Sequence, residues 1–126
     1  MSSLTVRQNF ELIVDSKRSL HLIIEQIIML EAESNYTLVH TKDGNSCLLA
    51  RCINAFDEEL TRYGFLRVHK SYIINPQYVL DYIGKERKIL LENNLCAPIA
   101  RRKKSMIRVS SIRKIIGKYP RMNINL

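Results

Sequence analysis

The chain has 126 residues, of which 46% are hydrophobic and 25% charged, and these values fit one soluble globular domain with a modest core. No run approaches the roughly 18 apolar residues of a membrane span. The start, MSSLTVRQNFE, lacks the basic and then apolar pattern of a signal peptide. Composition therefore disfavours membrane and secreted proteins and predicts a cytoplasmic protein whose three cysteines, Cys47, Cys52 and Cys96, stay reduced.

The net charge of +8 is unevenly distributed along the chain. Residues 1–63 carry 6 Lys/Arg and 9 Asp/Glu, whereas residues 64–126 carry 14 Lys/Arg and 3 Asp/Glu. This asymmetry is typical of a chain in which one half meets a polyanion, with nucleic acid the first candidate and a membrane surface the second. The sequence offers no basic amphipathic helix with aromatic anchors for a membrane. A solvated basic face without a partner stays open.

Apolar runs in the first half are short and broken by turn residues, which predicts strands. The turn SKRS predicts a hairpin between the first two runs, and Asp43–Gly44 in KDGN is a strong hairpin signal between the last two. The predicted strands are FELIVD (10–15), LHLII (20–24), IIMLEAE (27–33), YTLVHT (36–41) and SCLLARC (46–52).

The apolar period then changes to that of a helix. In INAFDEELTRYG apolar residues recur at helical spacing and Gly64 follows as a C-terminal cap, which predicts a helix over 53–63. Strands resume, with Asn75–Pro76 as an interruption, and a second helix is predicted at roughly 102–116. The predicted fold class is mainly β, with elongated antiparallel sheets and two short α-helices. The later strands are FLRVHKS (65–71), YIINPQYVLDYI (72–83), ILLE (89–92) and LCAPIA (95–100).

A basic run, ARRKK (100–104), lies at the predicted start of the second helix. The helix dipole disfavours cations there by about 0.3–1 kcal/mol each when exposed. The arrangement is favourable if a phosphate binds, because free backbone N–H groups and cations together form an anion site. The alternative is a tolerated, solvated charge run.

A second cluster, RVHKSY, mixes basic and apolar residues. Strand alternation places Leu66, Val68 and Tyr72 on one side and Phe65, Arg67, His69 and Ser71 on the other. Lys70 then lies on the rim if the strand ends there. For His69 a structural role and a position near DNA are both open.

A third stretch, ESNYT, has turn formers at Ser34 and Asn35 that present Tyr36 at the start of a strand. Tyr36 is either a packing cap or a contact to a sugar–phosphate backbone or a base.

Catalytic and metal-binding patterns are weak. The three histidines have no metal-ligand spacing, and the chain has only 4 glycines and no phosphate loop. The pair Glu31 and Glu33 lacks a partner set. We therefore expect no enzyme, metal or cofactor, and a zinc finger, basic zipper, RNA-recognition signature or helix-turn-helix is also missing.

Three stretches together resemble the LytTR (LytR/AlgR-type) DNA-binding domain family: MLEAESNYTLVHTKDG, FLRVHKSYIINPQYV and APIARRKK. The resemblance implies one LytTR-like domain over 1–126, with its core at about 8–116 and without a receiver domain in this chain. It implies a bacterial, cytoplasmic transcription regulator, an output domain of a two-component response regulator, whose loops enter successive major grooves of double-stranded DNA at direct-repeat promoter sites. A homodimer on DNA and an upstream receiver domain or sensor kinase remain open as partners, and no membrane partner is expected.

Carried over residue by residue, the resemblance implies that Tyr36, Lys70 and Arg101 face the groove and that the other DNA-binding residues lie beside them. It also leaves Arg67 open to a structural role. Position 70 is Lys where the family commonly has Arg, whose fork reads guanine more readily, so Lys70 is open to a phosphate contact instead. The implied DNA-binding residues are Asn35, Tyr36, His69, Lys70, Ser71, Arg101, Arg102 and Lys103.

Two alternatives remain. One is a protein-interaction or regulatory module of a LytTR-type regulator without independent DNA binding. RNA binding is the other, and it is weaker because the sequence predicts no exposed aromatic stacking platform.

Overall fold

Short strands joined by tight turns make up most of the computed structural model, which describes residues 11–15, 20–101 and 123–125. Three single-turn 3-10 helices, Ile24–Gln26, Pro76–Tyr78 and Gly84–Glu86, link some of them. One α-helix, α1 (Asn54–Arg62), lies in the described part. The strands there are β1 (Glu11–Asp15), β2 (Leu20–Ile23), β3 (Ile27–Glu33), β4 (Tyr36–Thr41), β5 (Ser46–Leu49), β6 (Leu66–His69), β7 (Tyr72–Ile74), β8 (Val79–Ile83), β9 (Lys88–Leu91), β10 (Leu95–Pro98) and β11 (Asn123–Asn125).

The strands form three sheets. The largest has five strands in the order β5-β4-β3-β7-β6, all antiparallel, and β1 pairs with β2 in a separate antiparallel hairpin. The third has the order β10-β9-β8-β11, in which β11 runs parallel to β8. The predicted antiparallel β class is confirmed, and the parallel strand β11 is an addition to it.

Most predicted strands are present, but three are shorter than expected. β6 ends at His69 rather than at residue 71, and β10 ends at Pro98 rather than at residue 100. β5 ends at Leu49 rather than at residue 52. The hydroxyl of Thr37, fully buried on β4, donates to the carbonyl of Arg51 at 2.7 Å. The Thr37 side chain thereby takes the place of the next backbone hydrogen bond between β4 and β5. The chain then turns toward α1. The second predicted helix, 102–116, lies outside the described residues.

Asn75 explains why the run YIINPQYVLDYI divides into β7 and β8. Its side chain accepts from the backbone N–H of Gln77 at 3.1 Å and donates to the carbonyl of Ile27 at 2.9 Å. This buried amide caps the 3-10 turn that begins at Pro76 and fixes it to β3. The predicted interruption at Asn75–Pro76 is confirmed.

The central strands β3 and β7 of the five-stranded sheet are buried on both faces, whereas Leu48 on the edge strand β5 is 58% exposed. One face packs against α1, through Phe56 and Leu60, and the other packs against the sheet of β8, β9 and β10. Alternation into β6 follows this division, because Phe65, just before the strand, belongs to the α1 side and Val68 to the opposite side. The residues buried deepest include Phe56, Ile27, Ile28, Leu30, Leu60, Ile73, Ile74, Ile89, Leu91, Val39 and Val68.

Gly64 ends helix α1 with φ +91°, as its predicted role as a C-terminal cap requires. A Cβ at this position would meet no atom within 4 Å, so a substitution would strain only the backbone.

We expect Gly64→Ala to lower the free energy of unfolding by about 1 kcal/mol, because an L side chain disfavours the left-handed region. Chemical denaturation measures this change. Gly64→Asn should cost less, since Asn tolerates this conformation better. Equal losses for the two variants would contradict a backbone origin.

Candidate nucleic-acid interface

Three loops meet at one end of the five-stranded sheet, which we call the three-loop end. They are the β3–β4 turn (Ser34 and Asn35), the β6–β7 turn (Lys70 and Ser71) and the segment 99–101 after β10. The backbone N–H of Ala32 donates to the carbonyl of Ser71 at 2.8 Å. The N–H of Ala100 donates to the carbonyl of Val68 at 2.9 Å. These two bonds attach the first and third loops to the strand pair that carries the second.

The tips of these loops are exposed. Ser34 adopts φ +56° in the first turn, and Tyr36 follows with 47% of its surface exposed. Asn35, Lys70 and Arg101 are also exposed. The strand ends at His69, so Lys70 lies on the rim as expected. Predicted DNA-binding residues Arg102 and Lys103, with the neighbouring Lys104, lie outside the described residues.

Arg67 points inward and is bonded at all three guanidinium nitrogens. Its Nη1 donates to Asp57 Oδ2 at 2.8 Å, its Nε to the carbonyl of His69 at 2.8 Å, and its Nη2 to the carbonyl of Lys70 at 2.5 Å. Only 11% of its side chain is exposed. Of the two cations in RVHKSY, Arg67 therefore holds the turn and Lys70 faces solvent.

His69 also stabilises the turn. Its Nδ1 accepts from the backbone N–H of Ser71 at 3.1 Å, and its ring makes an edge contact with Tyr72 at a centroid distance of 5.6 Å. A neutral ring that accepts at Nδ1 carries its hydrogen on Nε2. Of the two roles left open for His69, the structural one is present, and a DNA contact stays a prediction.

Glu31 links β3 to both neighbouring strands beneath the loops. One carboxylate oxygen accepts from the Tyr72 hydroxyl at 3.3 Å, and the other lies 3.1 Å from His40 Nε2. Burial, and then the charge of Glu31, raise the pKa of the Tyr72 hydroxyl above its usual value. The carboxylate that looked like half of a catalytic pair with Glu33 therefore has structural partners.

Sequence reasoning missed two basic residues near this end. Arg51 follows β5, whose Leu49 pairs with Thr37 beside the first loop, and its guanidinium lies 4.6 Å from the centre of the Phe56 ring. Arg87 accepts a backbone hydrogen bond from Ile99 at 2.7 Å, which brings the β8–β9 connection next to the third loop. The pairing of the hairpins could have indicated both positions. Arg51 follows β5, which pairs with β4 next to the first loop, and Arg87 precedes β9, which pairs with β10 before the third loop.

The described residues contain no group of three or more His, Cys, Asp or Glu side chains placed to hold a metal ion. No helix among them is long and apolar enough to cross a membrane. The three-loop end presents cations, an aromatic ring and short polar side chains. Such a set suits contacts to phosphates and base edges.

Comparison with known proteins agrees with this geometry. The model of the LytTr DNA-binding domain family matches residues 17–110. A solved LytTr DNA-binding domain, from a Bacillus cereus protein described as a methyl-accepting/DNA response regulator, is similar in fold with a TM-score of 0.64 and 19% identity. The similarity covers 78% of this chain and 87% of that one. No curated protein sequence matches.

Replacing Glu31 with Gln should lower the pKa of Tyr72 without returning it fully to 10, because burial remains after the charge is removed. NMR titration of the tyrosine ring carbons measures this. Since the folded pKa is raised, Tyr72 should contribute stability that is complete below about pH 10 and lost as pH rises through the folded pKa. A Tyr72 pKa unchanged in the variant would contradict the contact.

Proposed function

Because the chain belongs to the LytTr DNA-binding domain family, we propose that it binds specific sequences of double-stranded DNA through the three-loop end. The loops enter successive major grooves on one side of the duplex. The chain acts as the output domain of a bacterial, cytoplasmic response regulator at direct-repeat promoter sites, in a two-component system, as a homodimer on the DNA.

The observation that supports this proposal best is the pair of backbone hydrogen bonds at Ala32 and Ala100. They gather three loops that lie far apart in sequence, each with an exposed polar, aromatic or cationic tip. Backbone bonds fix these positions without using the tip side chains, which stay available to DNA.

The loop tips divide into two kinds of contact. Tyr36, Lys70 and Arg101 reach into the groove from the three loops, with Asn35 beside Tyr36. His69 and Ser71 support the Lys70 tip. The basic run that continues as Arg102, Lys103 and Lys104 binds phosphates. Neutralising about five phosphates should give a slope near −4 to −5 in a plot of log affinity against log salt.

In-vitro selection from a random duplex library, with binding followed against salt, tests this function. We expect a recovered motif repeated about one helical turn apart. Uniform, steeply salt-dependent binding would indicate a basic surface without sequence readout. Absence of binding at low salt would contradict the proposal and favour a protein-interaction module.

Arg101→Ala should weaken binding to the selected duplex by about 1–3 kcal/mol and relax specificity at one position, as expected for a base contact. Lys104→Ala should weaken all sequences alike. Lys42→Ala is the matched control, because Lys42 is an exposed cation beyond the other end of β4. Intact affinity and specificity in Arg101→Ala would contradict the assignment of Arg101.

A further inference from the structure

The turn that carries Lys70 is held by an ion pair with helix α1. Arg67 on β6 and Asp57 on α1 are 10 residues apart in the chain and 2.8 Å apart in space. The same guanidinium binds the carbonyls of His69 and Lys70, the last strand residue and the first turn residue. One side chain thus connects the helix to the backbone on both sides of the strand end.

Asp57 is itself held in place. Its Oδ1 accepts from the hydroxyl of Thr61, one helical turn later, at 3.1 Å, while its Oδ2 receives Arg67. Both oxygens therefore have fixed donors. A planar guanidinium can bond a carboxylate and two carbonyls at once, whereas a lysine ammonium in the same place could not reproduce this fork.

We propose that Asp57 and Arg67 are positioning residues for DNA recognition, which fix the Lys70–Ser71 turn in its binding geometry before DNA arrives. The inference rests on the proposed function. It assigns a role in sequence readout to a helix that forms none of the three loops. An ordered turn loses less conformational freedom on binding, and Lys70 reaches its contact from a fixed base.

The sign of the effect at Asp57 separates positioning from simple electrostatics. Asp57→Asn removes a negative charge, so charge alone predicts tighter binding to any duplex. Positioning predicts weaker binding to the specific duplex. Glu58→Gln is the matched control, since Glu58 is the next residue on α1, is exposed, and loses the same charge.

The experiment compares affinities of the wild-type chain, Asp57→Asn, Arg67→Lys, Arg67→Ala and Glu58→Gln for the selected duplex and for a random duplex. We expect the ratio of specific to random affinity to fall by about tenfold in Asp57→Asn and Arg67→Lys, an effect of the size of one charged hydrogen bond. The slope of log affinity against log salt should stay unchanged in both variants. Glu58→Gln should keep the wild-type ratio. Thermal unfolding confirms that each variant is folded.

A ratio in Asp57→Asn equal to that in Glu58→Gln would overturn the proposal. If the slope of log affinity against log salt falls in magnitude by about 0.9 in Arg67→Ala, Arg67 contacts a phosphate instead.

If the wild-type chain selects no sequence, the proposed function fails, and backbone order parameters of the free protein decide the positioning role. Order at Lys70 and Ser71 should fall from about 0.85 toward 0.6 in Asp57→Asn and stay high in Glu58→Gln. Unchanged order in Asp57→Asn would then refute it.

Discussion

The register between β3 and β7 determines where the candidate DNA-facing loops lie. Glu31 pairs with Tyr72 and Met29 with Ile74, so the end of β3 and the start of β7 stand side by side. The β3–β4 turn and the β6–β7 turn therefore emerge at the same edge. Because β3 and β7 are buried on both faces, a slip by one residue between them would move side chains of each core cluster to the opposite face, where they do not fit. Core packing thus fixes the spacing of the two loops.

Charge is used in two different ways within five residues of the sequence. Arg67 is largely buried and neutralised by Asp57, whereas Lys70 is exposed at the turn. A buried cation requires a partner, and here the partner lies on α1 and the remaining donors hold the turn backbone. An exposed cation retains its field for a polyanion. In the described part of residues 64–126, one cation of this pair therefore stabilises the fold, and the other contributes to the positive surface.

Local patterns in the sequence identified most elements of the fold, and long-range packing accounts for what they missed. The bounds of β3 and β4 and the cap at Gly64 follow from alternation and turn chemistry. The early end of β5 depends on a hydroxyl from β4, and the parallel pairing of β11 joins distant segments. The turn at Ser34 and Asn35 follows in the same way from its turn formers, whereas the β6–β7 turn and the end of β10 at Pro98 fall inside predicted strands. The inward role of Arg67 does not follow from the sequence pattern, because strand alternation predicts the face on which a side chain lies but not which residue packs against it. The structure shows that this residue is Asp57 on α1.

The most direct test of the DNA-facing assignment is a titration of the 15N-labelled chain with a duplex, followed by amide chemical shifts. The selected duplex is the probe, or a random duplex at low salt if selection yields no motif. We predict that the largest shifts fall on residues 34–36, 69–71 and 100–101, at the three-loop end. Little change is expected at the β4–β5 turn, residues 42–45, at the opposite end of β4. Shifts concentrated at that turn, or spread evenly over all exposed cations, would contradict the three-loop end as the binding surface.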